Sequence, residues 1–169
     1  AWLQKAFGRI HVRQVDKGVV SAFEMIPSET DVVIAFIKKE MEMEKKSRSE
    51  RFEREKITRL TAAIKQENFE NVKKYINDKY NLNGLDTDGN TPLGAAAISG
   101  NVRIARLLIE KGAKVNFADV DRLMPLHLAV TNDRRGMVVF LLGKGADVNA
   151  RADNDLTPLH YNAFQGNSE

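Results

Sequence analysis

The sequence predicts an all-α repeat solenoid, built from helix-turn-helix repeats whose connecting loops form hairpin-like tips. Pro92, Pro125 and Pro158 follow one another at a spacing of 33 residues, and Gly112 and Gly145 share that spacing. Within one period the apolar residues are spaced for two short helices. A single helix pair cannot bury its apolar face alone, so tandem copies that cover one another account for a repeat of this length.

Composition limits the kind of protein that this chain can be. Its 169 residues are 43% hydrophobic and 29% charged, which is ordinary for a soluble globular chain. The absence of cysteine excludes disulfides and thiolate metal sites and favours an intracellular, cytoplasmic location. No apolar run approaches the roughly 18 residues of a membrane helix, so we expect no membrane insertion. The formal net charge is +3, and the basic excess lies before Gly84.

The first helix of the period begins at Thr91 and Pro92. A threonine hydroxyl caps free amides, and proline at the first helical position gives up an N–H that had no partner. Leu93, Ala96 and Ala97 lie on one face, where the small alanine side chains let a neighbouring helix approach closely.

The second helix reads "VRIARLLIEKG". Ile104, Leu107 and Leu108 have the spacing of a buried stripe, whereas the charged residues between them face outward. Gly112 is expected to end this helix, because glycine readily takes the left-handed conformation. Leu108 in particular is predicted to lie in the core.

The repeated motifs carry a family resemblance. "TPLG" at Thr91, "MPLH" at Met124 and "TPLH" at Thr157, with "LLIEKGAKVN" and "FLLGKGADVN", resemble the ankyrin repeat. The resemblance covers residues 57–169. It divides them into a degenerate capping repeat (57–90), two full repeats (91–123 and 124–156) and a partial repeat (157–169).

Two positions depart from the family's pattern. Met124 replaces the threonine and Gly94 replaces the histidine, so we expect the hydrogen bonds around those two helix starts to be partly missing. The partial repeat, "TPLHYNAFQGNSE", supplies a first helix whose apolar face we expect to lack intramolecular cover. The natural chain is expected to continue with the second helix, or another element is expected to cap this one.

The first 56 residues do not follow the period. In residues 1–27, β-favouring residues flank Asp16, Lys17 and Gly18, which is typical of a β-hairpin. The segment "VVSAFEMI" is equally compatible with a short helix stopped by Pro27. Residues 28–56 begin with capping residues and carry opposite charges four residues apart, which predicts a long, partly solvated helix or linker.

No catalytic, metal-binding or cofactor-binding residues are predicted. His127 and His160 occupy the structural histidine position of the repeat. The stretch "LLGKGAD" lacks the Ser or Thr and the glycine spacing of a P-loop, and "DTDGN" lacks the remaining ligands of a calcium loop. The acids of "KKSRSERFEREK" alternate with its bases, so we expect no nucleic-acid partner.

The resemblance instead implies a non-enzymatic module that binds another protein through its loop tips and the concave face of its first helices. The predicted partner-binding residues are Leu85, Thr87, Asp88, Ile98, Val120, Asp121, Leu123, Leu128, Thr131, Asp153, Asn154, Tyr161 and Phe164. The large side chains among them are expected to serve binding, because stacking of the repeats does not require them.

The tips hold more acids than bases. The acids are Asp86, Asp88, Asp119, Asp121, Asp153 and Asp155, against Arg122 and Arg151. We therefore expect a partner segment with apolar anchors flanked by Lys or Arg. The alternative is that this module is the targeting or substrate-recruiting arm of a larger enzyme or effector whose catalytic part lies outside this segment.

Overall fold

A computed structural model describes residues 29–77 and 80–164. The chain forms two compact units, residues 1–41 and 42–169. The described residues are all helix, turn and loop, without a strand. The hairpin expected within residues 1–27 lies outside them. The helices are α1 (Glu29–Lys65), α2 (Phe69–Asn77), α3 (Pro92–Ser99), α4 (Val102–Glu110), α5 (Pro125–Thr131), α6 (Arg135–Gly143) and α7 (Pro158–Phe164).

Helix α1 is the charged helix that the sequence predicted, but it is longer. It runs for 37 residues without a break at the boundary expected between residues 56 and 57. Of the opposite charges along it, Lys46 pairs with Glu50 at 4.0 Å and Lys56 with Glu53 at 2.8 Å. Buried apolar residues begin at Ile57, so the last turns of α1 contribute to the core of the second unit.

Two tiers of helices make up the repeated part. The first helices of successive repeats, α3, α5 and α7, pack against one another in that order. Each of α3 and α5 also packs against the second helix of its own repeat, and the second helices α2, α4 and α6 contact each other in turn. We call α3, α5 and α7 the inner helices and α2, α4 and α6 the outer helices.

Close approach of the inner helices follows from their small side chains. Ala95, Ala96 and Ala97 are all buried, so α3 is covered on every side rather than on the single face expected from its sequence. Gly94 lies where later repeats have histidine, and a Cβ there would stand 2.9 Å from Leu128 Cδ1 on α5. Glycine therefore lets the Leu128 side chain pack directly over α3.

Outer helices α4 and α6 each supply the core with a pair of fully buried apolar side chains. Ile104 and Leu108 on α4 are fully buried, as are Met137 and Leu141 at the equivalent positions of α6. These side chains belong to one continuous hydrophobic cluster that reaches from Leu60 on α1 to Leu141. The prediction that Leu108 lies in the core is confirmed.

Helix starts and ends follow the local chemistry of each copy. The Thr91 hydroxyl accepts a hydrogen bond from the Gly94 N–H at 2.9 Å, whereas Met124 provides no side-chain cap. His127 Nδ1 replaces it in part by accepting from the Met124 N–H at 3.2 Å. As expected, the starts of α3 and α5 each lack one side-chain hydrogen bond of the repeat, because α3 has Gly94 at the histidine position and α5 has Met124 at the threonine position. Gly112 has a φ of +102°, as predicted for the residue beyond the end of α4.

Candidate protein-binding surface

The first loop tip is a tight turn organised by a buried carboxylate. Asp86 is 1% exposed, and its Oδ1 accepts hydrogen bonds from the N–H groups of Asp88 (2.9 Å) and Asn90 (2.8 Å). Its Oδ2 accepts from the Thr61 hydroxyl at 2.7 Å. Asp86 therefore holds the tip to the end of α1. The expectation that its charge faces a partner is wrong, since the carboxylate is used inside the protein.

The second tip repeats this arrangement one period later. Asp119 Oδ1 accepts from the N–H groups of Asp121 (3.0 Å) and Leu123 (2.7 Å). Partial burial raises the pKa of Asp119 above its usual value, and the two backbone hydrogen bonds work against that rise. Asp119 thus acts mainly as a turn former, which leaves Asp121 as the acid at the point of this tip.

The third tip lacks the turn-forming acid, because Ala152 occupies its position. Asn154 compensates in part, since its Oδ1 accepts from the Leu156 N–H at 3.3 Å. Arg151 adds a bridge across this turn to the Asp155 carboxylate. The turn is therefore closed by different side chains from those of the first two tips.

Neighbouring tips are joined through their backbones. The Val120 N–H donates to the Gly89 carbonyl at 3.1 Å, and the Asp153 N–H donates to the Asp121 carbonyl at 3.4 Å. Gly89 has a φ of +84°, and a Cβ there would meet Val120 Cγ1 at 2.4 Å. Glycine is required at this contact for both reasons. The three tips consequently form one connected row.

Most predicted tip residues are accessible. The exposed ones are Thr87, Asp88, Val120, Asp121, Asp153 and Asn154. Leu85 and Leu123 are half-buried, and Leu123 packs against the core. The row of tips therefore offers a polar rim with Val120 as its exposed aliphatic side chain.

The inner-helix residues divide into three groups. Leu128 is only 8% exposed and belongs to the core, so the expectation that it is not needed for stacking is wrong. Ile98 and Thr131 are half-buried, whereas Phe164 is 76% exposed. The sequence could not distinguish Leu128 from the others, because its burial depends on Gly94 in the preceding repeat.

Tyr161 connects the inner helices to the third tip. Its hydroxyl lies 3.1 Å from Asn154 Nδ2 and 3.3 Å from Asn154 Oδ1. Its ring meets the His127 ring edge-on, with 5.6 Å between centroids. Tyr161 is half-buried, so it presents one side to solvent from a fixed position.

Ion pairs reduce the negative charge of the tips. Lys65 on α1 lies 3.6 Å from Asp88, and Arg122 lies 3.6 Å from Asp153. Arg151 pairs with Asp155 as described above. Within the described part of the chain, Asp121 is an exposed tip acid for which no ion pair is found. The negative charge of the tips is therefore partly offset by ion pairs, and less of it is available to a partner than the sequence suggested.

His127 is buried and hydrogen-bonded within the protein, so its role is structural. It is fully buried, and its Nε2 lies 3.2 Å from the Leu156 carbonyl while Nδ1 accepts from Met124. Burial lowers the pKa of His127 below its ordinary value, although the hydrogen bond to Leu156 opposes that shift. Over residues 29–77 and 80–164, no group of His, Asp and Glu is arranged to hold a metal ion.

Sequence reasoning missed a ladder of asparagines that links the repeats. Asn83 Nδ2 donates to the Gly112 carbonyl at 3.0 Å, and its Oδ1 accepts from the Lys114 N–H at 2.7 Å. Asn116 does the same with Gly145 (3.1 Å) and with the N–H of Asp147 (3.0 Å). The recurrence of asparagine at the 33-residue spacing was the signal that could have revealed this ladder.

Comparison with known proteins agrees with the repeat architecture. A family model described as ankyrin repeats, in three copies, matches residues 60–152, which is more than half of the chain. No curated protein matches the chain. In the described residues, no helix has the length and apolarity needed to cross a membrane. With its helix pairs, its connected tips and this match, the chain belongs to the ankyrin repeat family.

Proposed function

We propose that this chain is a non-enzymatic protein-interaction module that binds a partner protein through the row of tips and the adjacent side of the inner helices. Ankyrin repeats are in general protein-protein interaction modules. The observation that carries the proposal is that three tips, joined by backbone hydrogen bonds, hold exposed side chains in a fixed row. A preformed surface loses little conformational entropy on binding.

The partner chemistry follows from the exposed side chains. Val120 and Phe164 are accessible apolar residues, with half-buried Ile98 and Tyr161 as further apolar contacts. Asp121 supplies negative charge without an ion pair to the described residues. We therefore propose a partner segment with apolar anchors and with Lys or Arg directed at the second tip. In this arrangement the helix pairs stack as a solenoid with the tips along one edge.

A charge reversal tests the electrostatic part of this proposal. Asp121→Lys should slow association with the partner at low salt, and the effect should shrink as salt screens the charge. Glu110→Lys is the matched control, because it makes the same charge change at an exposed position of outer helix α4. The partner recovered by affinity capture is the binding probe. Equal association rates for the two variants would remove the second tip from the interface.

An aromatic truncation tests the apolar part. Phe164→Ala should accelerate dissociation, whereas Phe52→Ala should leave it unchanged, since Phe52 is an exposed aromatic on α1. Both phenylalanines are largely exposed, so neither substitution should unfold the protein. Dissociation that is unchanged for Phe164→Ala would exclude this residue as an anchor.

A targeting or substrate-recruiting arm of a larger enzyme is the second candidate, and it uses the same surface. Enzyme assays that compare a complete natural chain with this segment separate the two functions. An activity that is present only in a longer chain, and that falls with Asp121→Lys for a protein substrate, would favour the recruiting arm.

A further inference from the structure

Two arginines of the middle outer helix, α4, each place a guanidinium group over an aromatic ring of a neighbouring outer helix. The guanidinium carbon of Arg103 lies 3.8 Å from the centroid of the Phe69 ring on α2. The guanidinium carbon of Arg106 lies 5.3 Å from the centroid of the Phe140 ring on α6, and Lys144 Nζ lies 5.9 Å from the same centroid. We call these five residues the outer strip. The outer strip runs from α2 across α4 to α6.

The cations of the outer strip are accessible, and the rings beneath them are fixed. Arg103, Arg106 and Lys144 are exposed. Phe69 and Phe140 are half-buried and pack against the core. The electrons of an aromatic face attract a cation. Each guanidinium is therefore held against a ring that does not move freely, while its N–H donors remain at the edge of its plane.

The two arginines have no anionic partner in the described part of the protein. Neither guanidinium forms an ion pair with any described residue, although exposed Glu110 lies on the same helix. Three other arginines do pair with an aspartate, namely Arg122, Arg135 and Arg151. The charges and N–H donors of Arg103 and Arg106 are thus available to an anion from outside the protein.

Stacking of the repeats does not account for a cation at this place. One period after Arg103 the chain has Gly136, and α6 nevertheless packs against α4. Helix α4 lies between α2 and α6, so neighbouring repeats already occupy both of its sides. The outward face of α4 is therefore a surface of the assembled stack, and its arginines are in excess of what the stack requires.

We propose that the outer strip binds an acidic segment of another polypeptide, with one carboxylate at each arginine and a third near Lys144. A guanidinium pairs with a carboxylate through two parallel hydrogen bonds, which gives a planar and directional contact. Arg103 reaches toward α2 and Arg106 toward α6, so the two bound carboxylates lie roughly one interhelical spacing apart, about 10 Å. An extended segment covers that distance with acids three residues apart, at about 3.3 Å per residue.

Separated carboxylates fit this surface better than a continuous polyanion does. Exposed Glu70 follows Phe69 directly, and exposed Glu110 lies one helical turn after Arg106. A nucleic acid or an anionic membrane would place negative charge against these two acids as well, whereas a polypeptide can place uncharged residues there. The outer strip is built by the outer helices, so it is separate from the row of tips and does not depend on the function proposed for that row.

The probe is a synthetic peptide of about 12 residues, made of glycine and serine, with three glutamates that are each three residues apart. A dye on the peptide reports binding to the intact protein by fluorescence anisotropy, and NMR of the arginine Nε–H groups reports the place of binding. We expect saturable binding at low salt with a dissociation constant below about 1 mM. The Nε–H signals of Arg103 and Arg106 should shift, and those of Arg48 and Arg51 should not. A control peptide with its three glutamates adjacent should bind more weakly, because it cannot reach both arginines.

Paired protein variants test the role of the arginines. Arg103→Gln with Arg106→Gln should weaken binding of the spaced peptide at least about tenfold. The matched control is Arg48→Gln with Arg51→Gln, which removes the same charge from two exposed arginines three residues apart on α1. It should change the dissociation constant less than about twofold, because exposed charges at a distance are screened. All four positions are exposed, so both variants should remain folded, which circular dichroism checks.

Two further variants separate the outer strip from general electrostatics and from the tips. Arg103→Lys with Arg106→Lys keeps the charge but loses the planar donor group, so binding should weaken about threefold or more. Asp121→Lys at the second tip should leave it unchanged. Equal effects of the two glutamine pairs, equal affinity for the spaced and adjacent peptides, or no saturable binding up to about 1 mM would overturn the proposal. Equally effective competition by an oligodeoxythymidine of about 12 nucleotides would also overturn it, because the strip would then be a general polyanion site.

Discussion

Truncation of Leu108 tests the claim that the outer helices supply side chains to the shared hydrophobic core. The Leu108 side chain is 0% exposed, so Leu108→Ala removes three carbon atoms that are fully shielded from water. At about 0.8 kcal/mol per buried carbon, the transfer contribution is roughly 2.4 kcal/mol. The cavity left between the helices adds to it and brings the expected loss to about 2–5 kcal/mol.

Leu159→Ala makes the same chemical change at a position that is 74% exposed. Most of this side chain is already in water, so the expected loss is about 0.5 kcal/mol. The assay is urea unfolding followed by far-ultraviolet circular dichroism, with both variants measured beside the unaltered chain. A loss below about 0.5 kcal/mol for Leu108→Ala, or equal losses for the two variants, would refute the assignment of Leu108 to the shared core.

Three further predictions concern the buried carboxylate, the asparagine ladder and the buried histidine. Asp86→Ala should lower the unfolding free energy in urea by about 3 kcal/mol, since three donors lose a charged acceptor. Asp121→Ala should lower it by less than about 0.5 kcal/mol. Similar losses for the two variants would contradict the turn-forming role of Asp86. Asn116→Ala should cost about 1–2 kcal/mol through two lost hydrogen bonds, whereas Asn149→Ala should be nearly neutral, because Asn149 is exposed. Because burial lowers the pKa of His127, its neutral form stabilises the fold above the unfolded value near pH 6.5, and this contribution is lost as the pH falls below that value. His127→Gln should therefore flatten the decline in unfolding free energy between about pH 7 and 5, and a decline as steep as that of the unaltered chain would contradict this prediction.

The repeat architecture could be predicted because the proline-containing motif at the start of the inner helix occurs three times in the sequence at equal spacing. Equal spacing of prolines and glycines, together with the stripe at Ile104 and Leu108, is a local pattern that requires no knowledge of the neighbours. Both residues are fully buried as that pattern indicated. The start of α4 and the turn at Gly112 also follow from local backbone preferences.

The site was less predictable, because exposure depends on contacts between repeats. Leu128 resembles a free surface residue in its own repeat, and only the glycine at position 94 allows it to be buried. Asp86 resembles its acidic neighbours in sequence, but Thr61 on α1 and two backbone amides enclose it. Lys65 likewise reaches Asp88 from a helix whose position the sequence does not specify.

Photocrosslinking tests the central claim, that the row of tips is the surface that binds another protein. A photoreactive residue replaces exposed Val120 at the second tip in one variant and exposed Lys111, just beyond outer helix α4, in a matched variant. Both are irradiated in the same cell extract, and the products are identified by mass spectrometry. The account predicts a specific crosslinked protein from position 120 that is lost with Asp121→Lys and absent from position 111. A specific crosslink from position 111 alone would contradict it.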